Sequence, residues 1–90
     1  MRLDKFLKVS RIIKRRTLAK EVCDGGKVFI NNRPAKAGNE VKVGDILTIR
    51  LGSRQLKAEI LFIADHVRAD QAKELYTILE DVRINNEPVE

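Results

Sequence analysis

The hydrophobic period of this sequence changes at Gly25-Gly26, and that change limits the fold more than any other feature. Before the two glycines, apolar residues recur at the three- and four-residue spacing of amphipathic helices. After them, short runs alternate between apolar and polar residues, as strands do. Glycine commonly ends helices because it adopts the left-handed conformation at little cost. The pattern therefore predicts an α+β domain with its first helices before residue 25.

Two short helices are predicted in this first part. The first ends between Ser10 and Ile13, and its apolar stripe is formed by Leu3, Phe6 and Leu7. The second begins near Thr17, whose hydroxyl is a suitable N-cap for an early helical amide. Its apolar face is formed by Leu18, Ala19, Val22 and Cys23. Cys23 is therefore predicted to be a small core residue rather than a reactive thiol.

The middle of the chain is predicted to form a sheet. Strands are expected at 28–30, 46–51 and 56–63, and Asn31-Asn32 is a turn signal between short extended segments. In the second strand, Leu47, Ile49 and Leu51 alternate with Ile46, Thr48 and Arg50, so the two sets lie on opposite faces. The aromatic residues expected in the core are Phe6, Phe29 and Phe62. Base stacking on them is not expected.

Helical spacing returns near the C-terminus. The stripe consists of Ala72, Leu75, Leu79 and Val82. This spacing predicts a C-terminal helix with Asp70 as its N-cap, followed by a short polar tail over 85–90. We therefore divide the chain into a first unit, 1–64, and a second, 65–90, that holds this helix and the tail.

Charge is distributed unevenly along the 90 residues. The chain has 18 basic and 13 acidic residues, a net charge of +5. Residues 1–36 contain eleven basic and three acidic residues, a net of +8, whereas 37–90 have a net of −3. A basic half indicates a polyanionic partner, which by charge alone is a nucleic acid, an acidic membrane surface or an acidic protein. A solvated basic face without a ligand is the remaining alternative.

Composition argues against several other classes. No apolar run approaches the roughly 20 residues that span a bilayer, and the first residues are too charged for a signal peptide. The single cysteine, Cys23, excludes a disulfide framework. With a single histidine, His66, the chain has few side chains suited to metal binding or base catalysis. We therefore expect neither an enzyme, nor a metal site, nor a cofactor.

Four short motifs occur in one order along residues 1–51. They are RLDKFL at 2–7, RTLA at 16–19, GKVFIN at 26–31 and VGDIL at 43–47. Together they resemble the S4 RNA-binding domain, and the whole chain is most similar to its small stand-alone members of the RqcP (YabO) type. Asn32 departs from the family pattern, in which glycine is common. The resemblance implies the S4 (αL-type) fold: two N-terminal helices on a small, twisted, mostly antiparallel sheet, plus the C-terminal helix.

The resemblance also implies a function. Proteins of this family bind stalled large ribosomal subunits, contact ribosomal RNA and peptidyl-tRNA, and support nascent-chain tailing beside an RqcH-type factor. This implies a cytoplasmic, monomeric protein with no membrane partner. A heat-shock or assembly factor acting on the same subunit is the nearest alternative. An RNA-modifying enzyme, and an adaptor that holds a protein through its acidic half, are the alternatives from other classes.

The candidate RNA-binding residues follow from the basic half and the motifs. Arginine binds phosphate through a planar fork, and clustered basic residues bind RNA by releasing counterions. The start of the second helix adds free amides suited to a phosphate. Asp4 either orients basic side chains or, as we favour, complements the helix dipole. The candidates are Arg2, Lys5, Lys8, Arg11, Lys14, Arg15, Arg16, Thr17, Lys20, Asn31 and Lys36.

Overall fold

The computed structural model of the protein describes residues 1–83. Two α-helices come first, followed by an antiparallel sheet whose last strand is preceded by a 3₁₀-helix. The elements are α1 (Leu3–Val9), α2 (Arg16–Asp24), β1 (Val28–Ile30), β2 (Arg33–Pro34), β3 (Ile46–Leu51), β4 (Arg54–Ile60), the 3₁₀-helix (Ala69–Leu75) and β5 (Tyr76–Arg83). The predicted α+β class and the two N-terminal helices are confirmed.

The five strands form one antiparallel sheet in the order β2-β1-β3-β4-β5. The β1–β2 hairpin turns through Asn31 and Asn32, whose φ angles are 51° and 69°. A two-residue hairpin loop with two positive φ angles is a type I′ turn, and asparagine tolerates that conformation better than most residues. The turn is therefore formed although the second position is not glycine.

A single hydrophobic core joins the helices to one face of the sheet. The fully buried side chains of α1 are Leu3, Phe6 and Leu7, and α2 contributes Ala19 and Cys23. Leu47 and Ile49 of β3 belong to the same core cluster, so this face of the sheet meets the helices. Burial raises the pKa of the Cys23 thiol to about 12, which agrees with its predicted role as a core residue.

The C-terminal segment corrects the sequence prediction. Residues Ala69–Leu75 are helical, as a 3₁₀-helix, but Tyr76–Arg83 form β5. The predicted continuation of the helical stripe to Leu79 and Val82 is therefore wrong, and both side chains are exposed on β5. Tyr, Thr, Ile and Val favour strands, and the open edge of β4 supplies backbone partners for the segment. The predicted tail over 85–90 lies outside the described residues.

Smaller predictions about helix caps, strand bounds and core residues are also wrong. The N-cap of α2 is Arg15, not Thr17, and that of the 3₁₀-helix is Arg68, not Asp70. The strand predicted over 56–63 is Arg54–Ile60, so Phe62 lies beyond it. Phe62 is 61% exposed, and Phe29 is half-buried on the face of the sheet that points away from the helices. Neither is the core residue that the sequence predicts.

Candidate nucleic-acid interface

The carboxylate of Asp4 lies between two arginines that are fourteen positions apart in the sequence. Arg2 donates from Nε to Oδ1 at 3.1 Å, and Arg16 donates from Nε to Oδ2 at 3.4 Å. The Asp4 side chain is only 4% exposed, whereas those of Arg2 and Arg16 are 52% and 47% exposed. We call these three residues the Asp4 cluster. The buried acid holds both guanidinium groups, and each still presents about half of its surface to solvent.

The electrostatics of Asp4 agree with this geometry. Burial by itself would raise the pKa of Asp4, but the hydrogen bonds and charges of Arg2 and Arg16 outweigh it and hold the pKa below its usual value. Asp4 is thus a carboxylate at neutral pH. It does lie in the first turn of α1, but the orienting role is the one that its contacts show. The cluster carries two positive charges and one negative charge.

The loop over 37–39 fixes the start of α1. The Leu3 amide donates to the carbonyl of Asn39 at 2.7 Å, and the Asp4 amide donates to that of Ala37 at 3.2 Å. These bonds satisfy two early amides that would otherwise be free at a helix N-terminus. The loop therefore fixes the backbone that carries Arg2 and Asp4.

The start of α2 is arranged differently. Its N-cap, Arg15, has an extended backbone and makes no side-chain capping bond. Arg16 is the first helical residue, so the Asp4 cluster lies beside the N-terminus of α2. Backbone amides and the positive end of a helix dipole favour anions at such a position. The cluster and this helix start are thus suited to the same phosphate-bearing ligand.

A second basic group lies where α1 ends. A concavity of about 110 Å³ is lined by Lys8, Val9, Arg11, Lys14, Asp65, His66 and Val67, and we call it the Lys8 concavity. Arg11 has a φ of 63°, so the chain turns sharply after α1. That turn brings Lys8, Arg11 and Lys14 to one depression. Lys5 lies next to it through a 3.2 Å ion pair with Asp65.

The remaining candidates are more dispersed. Arg15, Thr17 and Lys20 are exposed on or beside α2. Asn31 uses its side chain within the chain, because it donates to Asp45 at 3.1 Å and accepts from the Ile46 amide at 2.9 Å. The Lys36 Nζ donates to a backbone carbonyl at the end of α2 at 3.4 Å. The structure therefore brings together Arg2 and Arg16, and separately Lys8, Arg11 and Lys14, but not Asn31 or Lys36.

Two features of the site were not assigned from the sequence. The sequence analysis preferred a dipole role for Asp4, and no local pattern indicates that Arg16 reaches it. His66 was expected to have no catalytic or metal-binding role, and the structure places it on the wall of the Lys8 concavity. Within residues 1–83, no group of three or more potential metal ligands is present, and no helix is long and apolar enough to cross a membrane.

Known proteins of similar sequence and structure show the family to which the chain is related. Residues 1–47 match the S4 domain family. The chain is 50% identical over 84 residues to the RQC P-site tRNA stabilizing factor of Bacillus subtilis (strain 168), covering 93% of this chain and 98% of that protein. The protein of the same name from Halalkalibacterium halodurans is 52% identical over 85 residues, covering 94% and 97%. The structure of trimeric Vibrio cholerae Heat Shock Protein 15 superposes with a TM-score of 0.81 at 38% identity, covering 87% of this chain and 80% of that one.

Proposed function

Because this chain belongs to the S4 domain family, we propose that it is an RNA-binding factor of ribosome-associated quality control that acts by binding and not by catalysis. Relatives named RQC P-site tRNA stabilizing factor, about half identical over nearly the whole chain, support this role. On this proposal the protein binds stalled large ribosomal subunits, where it contacts ribosomal RNA and peptidyl-tRNA.

The Asp4 cluster is the observation that carries the proposal. Two half-exposed guanidinium groups held by one buried carboxylate form a prepositioned pair. Arginine binds phosphate through parallel hydrogen bonds, and a side chain that is already held loses less entropy on binding. The positive end of α2 adds to the attraction at the same place. The cluster would therefore dock on an RNA backbone whose phosphates match its spacing.

The Lys8 concavity would extend the contact along the RNA. Lysine and arginine in this group neutralise phosphates and release counterions, which makes the binding strongly salt-dependent. The exposed Arg15, Thr17 and Lys20 would form the next part of the surface. The basic side chains follow the helices and not a pocket that could enclose a base, so this surface would recognise RNA shape and backbone.

The finer parts of the proposal concern partners. We place the protein in the cytoplasm as a monomer that binds the large subunit together with tRNA. An RqcH-type factor on the same particle would extend the nascent chain, and this protein would support that tailing by holding the tRNA.

Co-sedimentation with purified large ribosomal subunits tests the proposal. The wild-type chain should sediment with the subunits at physiological salt. Arg16→Ala should weaken the association on the order of tenfold, because one phosphate contact and its positioning are lost. The slope of log affinity against log salt should also fall by about 0.7–0.9.

Arg54→Ala is the matched control for this experiment. Arg54 is also an exposed arginine paired with a carboxylate, Asp81, but it lies on the sheet. This variant should bind subunits within about twofold of the wild type, since it lies outside the proposed contact. Failure of the wild-type chain to sediment, or equal losses for the two variants, would contradict the proposal.

A heat-shock or assembly role on the same subunit is the second candidate. The similarity to Vibrio cholerae Heat Shock Protein 15 favours it, since 87% of this chain superposes on that structure. The particles recovered with the protein from cells separate the two roles. Mature subunits that carry peptidyl-tRNA support quality control, whereas immature subunits without tRNA support assembly.

A further inference from the structure

The face of the sheet that points away from the helices carries its own set of side chains. Along β3, Leu47 and Ile49 enter the core with the helices, so Thr48 and Arg50 point to the opposite face. The strand register places Phe29 of β1 and Lys57 of β4 on either side of Thr48. An aromatic ring, a hydroxyl and an ammonium group thus form one row across three strands.

These side chains border a shallow groove of about 240 Å³. It is lined by Phe29, Asn32, Thr48, Arg50, Gln55 and Lys57, and we call it the sheet groove. The guanidinium carbon of Arg50 lies 5.8 Å from the centre of the Phe29 ring, within the range of a cation–π contact. Gln55 Oε1 accepts from Arg50 Nε at 3.2 Å, which orients the guanidinium group over the ring.

Nearby acids offset only part of the positive charge of the groove. Among residues 1–83, neither Arg50 nor Lys57 forms an ion pair. On β5, the exposed acid Asp81 is paired with Arg54 at 2.6 Å. Its neighbour Glu80 lies opposite Lys57 in the strand register, and Glu80 Oε2 accepts from Gln55 Nε2 at 3.4 Å. An anionic ligand in the groove would therefore meet the charges of Arg50 and Lys57 beside an aromatic ring, and Glu80 would offset part of the charge of Lys57.

We propose that the sheet groove binds an unpaired nucleotide of RNA, as a second contact on the face opposite the helices. A flat guanidinium group over a half-buried ring offers a stacking surface for a base. Lys57 would bind the adjoining phosphate, and the exposed Asn32 supplies hydrogen-bonding groups suited to a 2′-hydroxyl or a base edge. The inference rests on the proposed function, because it gives the same RNA-binding protein a second RNA contact.

An acidic peptide would satisfy the two positive charges equally well. Its side chains have no ring that could stack on the planar arrangement of Arg50 and Phe29, whereas a base stacks on that surface. The geometry therefore favours RNA, and the peptide becomes an outcome that the test can detect.

The test uses the full chain and a uridine octamer that contains one central 2-aminopurine, whose fluorescence is quenched when it stacks. Binding of the wild type should quench the fluorescence. Arg50→Lys keeps the charge but loses the planar group, so it should weaken binding about 5- to 30-fold and abolish most of the quenching. Phe29→Leu should also lose the quenching, with folding of both variants checked by circular dichroism.

Two controls separate this site from the helical surface. Lys73→Ala removes one positive charge on the 3₁₀-helix and should bind the octamer with normal affinity and quenching. Arg16→Ala should bind less tightly but keep the quenching at saturation, because its groove is intact. Wild-type quenching in Arg50→Lys and Phe29→Leu would overturn the proposal.

Competition with an octaglutamate peptide completes the test. The unlabelled uridine octamer should displace the probe at much lower concentration than the peptide does. Equal displacement would overturn the proposal in favour of an acidic peptide site. Because no ribosome is present in this assay, its failure is distinguishable from failure of the large-subunit sedimentation experiment.

Discussion

The α1–α2 junction and the outer edge of the sheet each contain an arginine–carboxylate pair, but the two pairs differ in burial. At the edge, Arg54 and Asp81 are 2.6 Å apart, and the side chains are 61% and 40% exposed. At the junction the contacts to Asp4 are longer, at 3.1 and 3.4 Å, but the carboxylate is almost completely buried. A short distance between exposed charges contributes little because water and salt screen it. Burial, and not bond length, therefore identifies the pair that determines the geometry of a surface.

The same contrast applies to the apolar side chains of the two regions. Phe6 of α1 is fully buried, whereas Phe62 beyond β4 is mostly exposed. Leu61 and Ile63 beside it are also partly exposed, at 37% each. The junction is thus built around a packed core, whereas the segment after β4 at residues 61–63 is not packed into it.

The largest expected difference between the regions is in stability. Phe6→Ala should lower the free energy of unfolding by about 3–5 kcal/mol, because it leaves a cavity under both helices. Phe62→Ala should change it by less than about 0.5 kcal/mol. Urea denaturation monitored by circular dichroism measures both. Similar losses for the two variants would show that the segment after β4 is packed more tightly than its exposure indicates.

Removal of the Asp4 carboxylate is the next largest change. Asp4→Ala should lower the free energy of unfolding by about 1.5–3 kcal/mol, because charged hydrogen bonds to Arg2 and Arg16 are lost. It should also weaken binding to large subunits several-fold, although the chain becomes more basic. Net charge alone predicts tighter binding, because the substitution removes one negative charge from a surface that binds a polyanion.

Asp65→Ala is the matched control for this prediction. Asp65 is also an acid on the basic side of the molecule and pairs with Lys5 at 3.2 Å, but its side chain is 74% exposed. Its removal should leave stability nearly unchanged and make subunit binding equal or slightly tighter. Tighter binding by Asp4→Ala as well would mean that Asp4 does not position the arginines. Sedimentation and urea denaturation report the two effects separately.

The smallest expected effect is the pH dependence of the two carboxylates. Hydrogen bonds and charges from the arginines lower the pKa of Asp4, and the Arg54 hydrogen bond lowers that of Asp81. A lowered pKa means that folding favours the ionised form. The resulting stabilisation is complete above the ordinary value of 3.8 and is lost as the pH falls through the lower folded pKa.

Comparison with asparagine variants measures that dependence. The stability gap between wild type and Asp4→Asn should be constant at neutral pH and should close as the pH falls below about 4. The gap for Asp81→Asn should be small throughout and should disappear in about 1 M salt, where exposed charges are screened within a few ångströms. A gap for Asp4→Asn that also vanishes in salt would show that its carboxylate is solvated.

The structure also changes how the adaptor hypothesis can be tested. If the acidic half acted as a separate adaptor, truncation after Leu51 should abolish the protein contact and retain RNA binding. In the structure, β4 and β5 pair in succession onto β3, and Ile60 of β4 belongs to the common core. Truncation there would remove two strands of one sheet and part of its core. Point substitutions on the exposed face of β5 are therefore the suitable variants.

Much of the fold could be predicted because its signals are local. The apolar stripe of α1, the left-handed turn at Asn31-Asn32 and the two faces of β3 depend on spacing and on backbone preference within a few residues. The C-terminal segment could not be predicted in this way. Its apolar residues fit a helical period, but Tyr76, Ile78 and Val82 also fit the two-residue period of a strand.

The candidate site shows the same division between local and distant information. The basic side chains of Arg2, Lys8 and Arg16 are visible in the sequence as a charge excess in the first 36 residues. Which of them share a partner depends on contacts between residues far apart in the chain, such as that of Arg16 with Asp4. The pairing of Arg50 with Phe29 depends on the register of β1 and β3, which no local pattern specifies.

The sequence by itself determined the two helices, the hairpin turn, the buried face of β3 and the placement of positive charge in the N-terminal part. These depend on interactions within one or two turns or strands, so periodicity and residue type are sufficient. Tertiary structure alone decided that 76–83 is a strand, that Phe62 is exposed and that one buried carboxylate holds Arg2 and Arg16. The reason is that distant parts of the chain supply the open edge of β4, decide which side chains are packed over, and remove water from the Asp4 carboxylate.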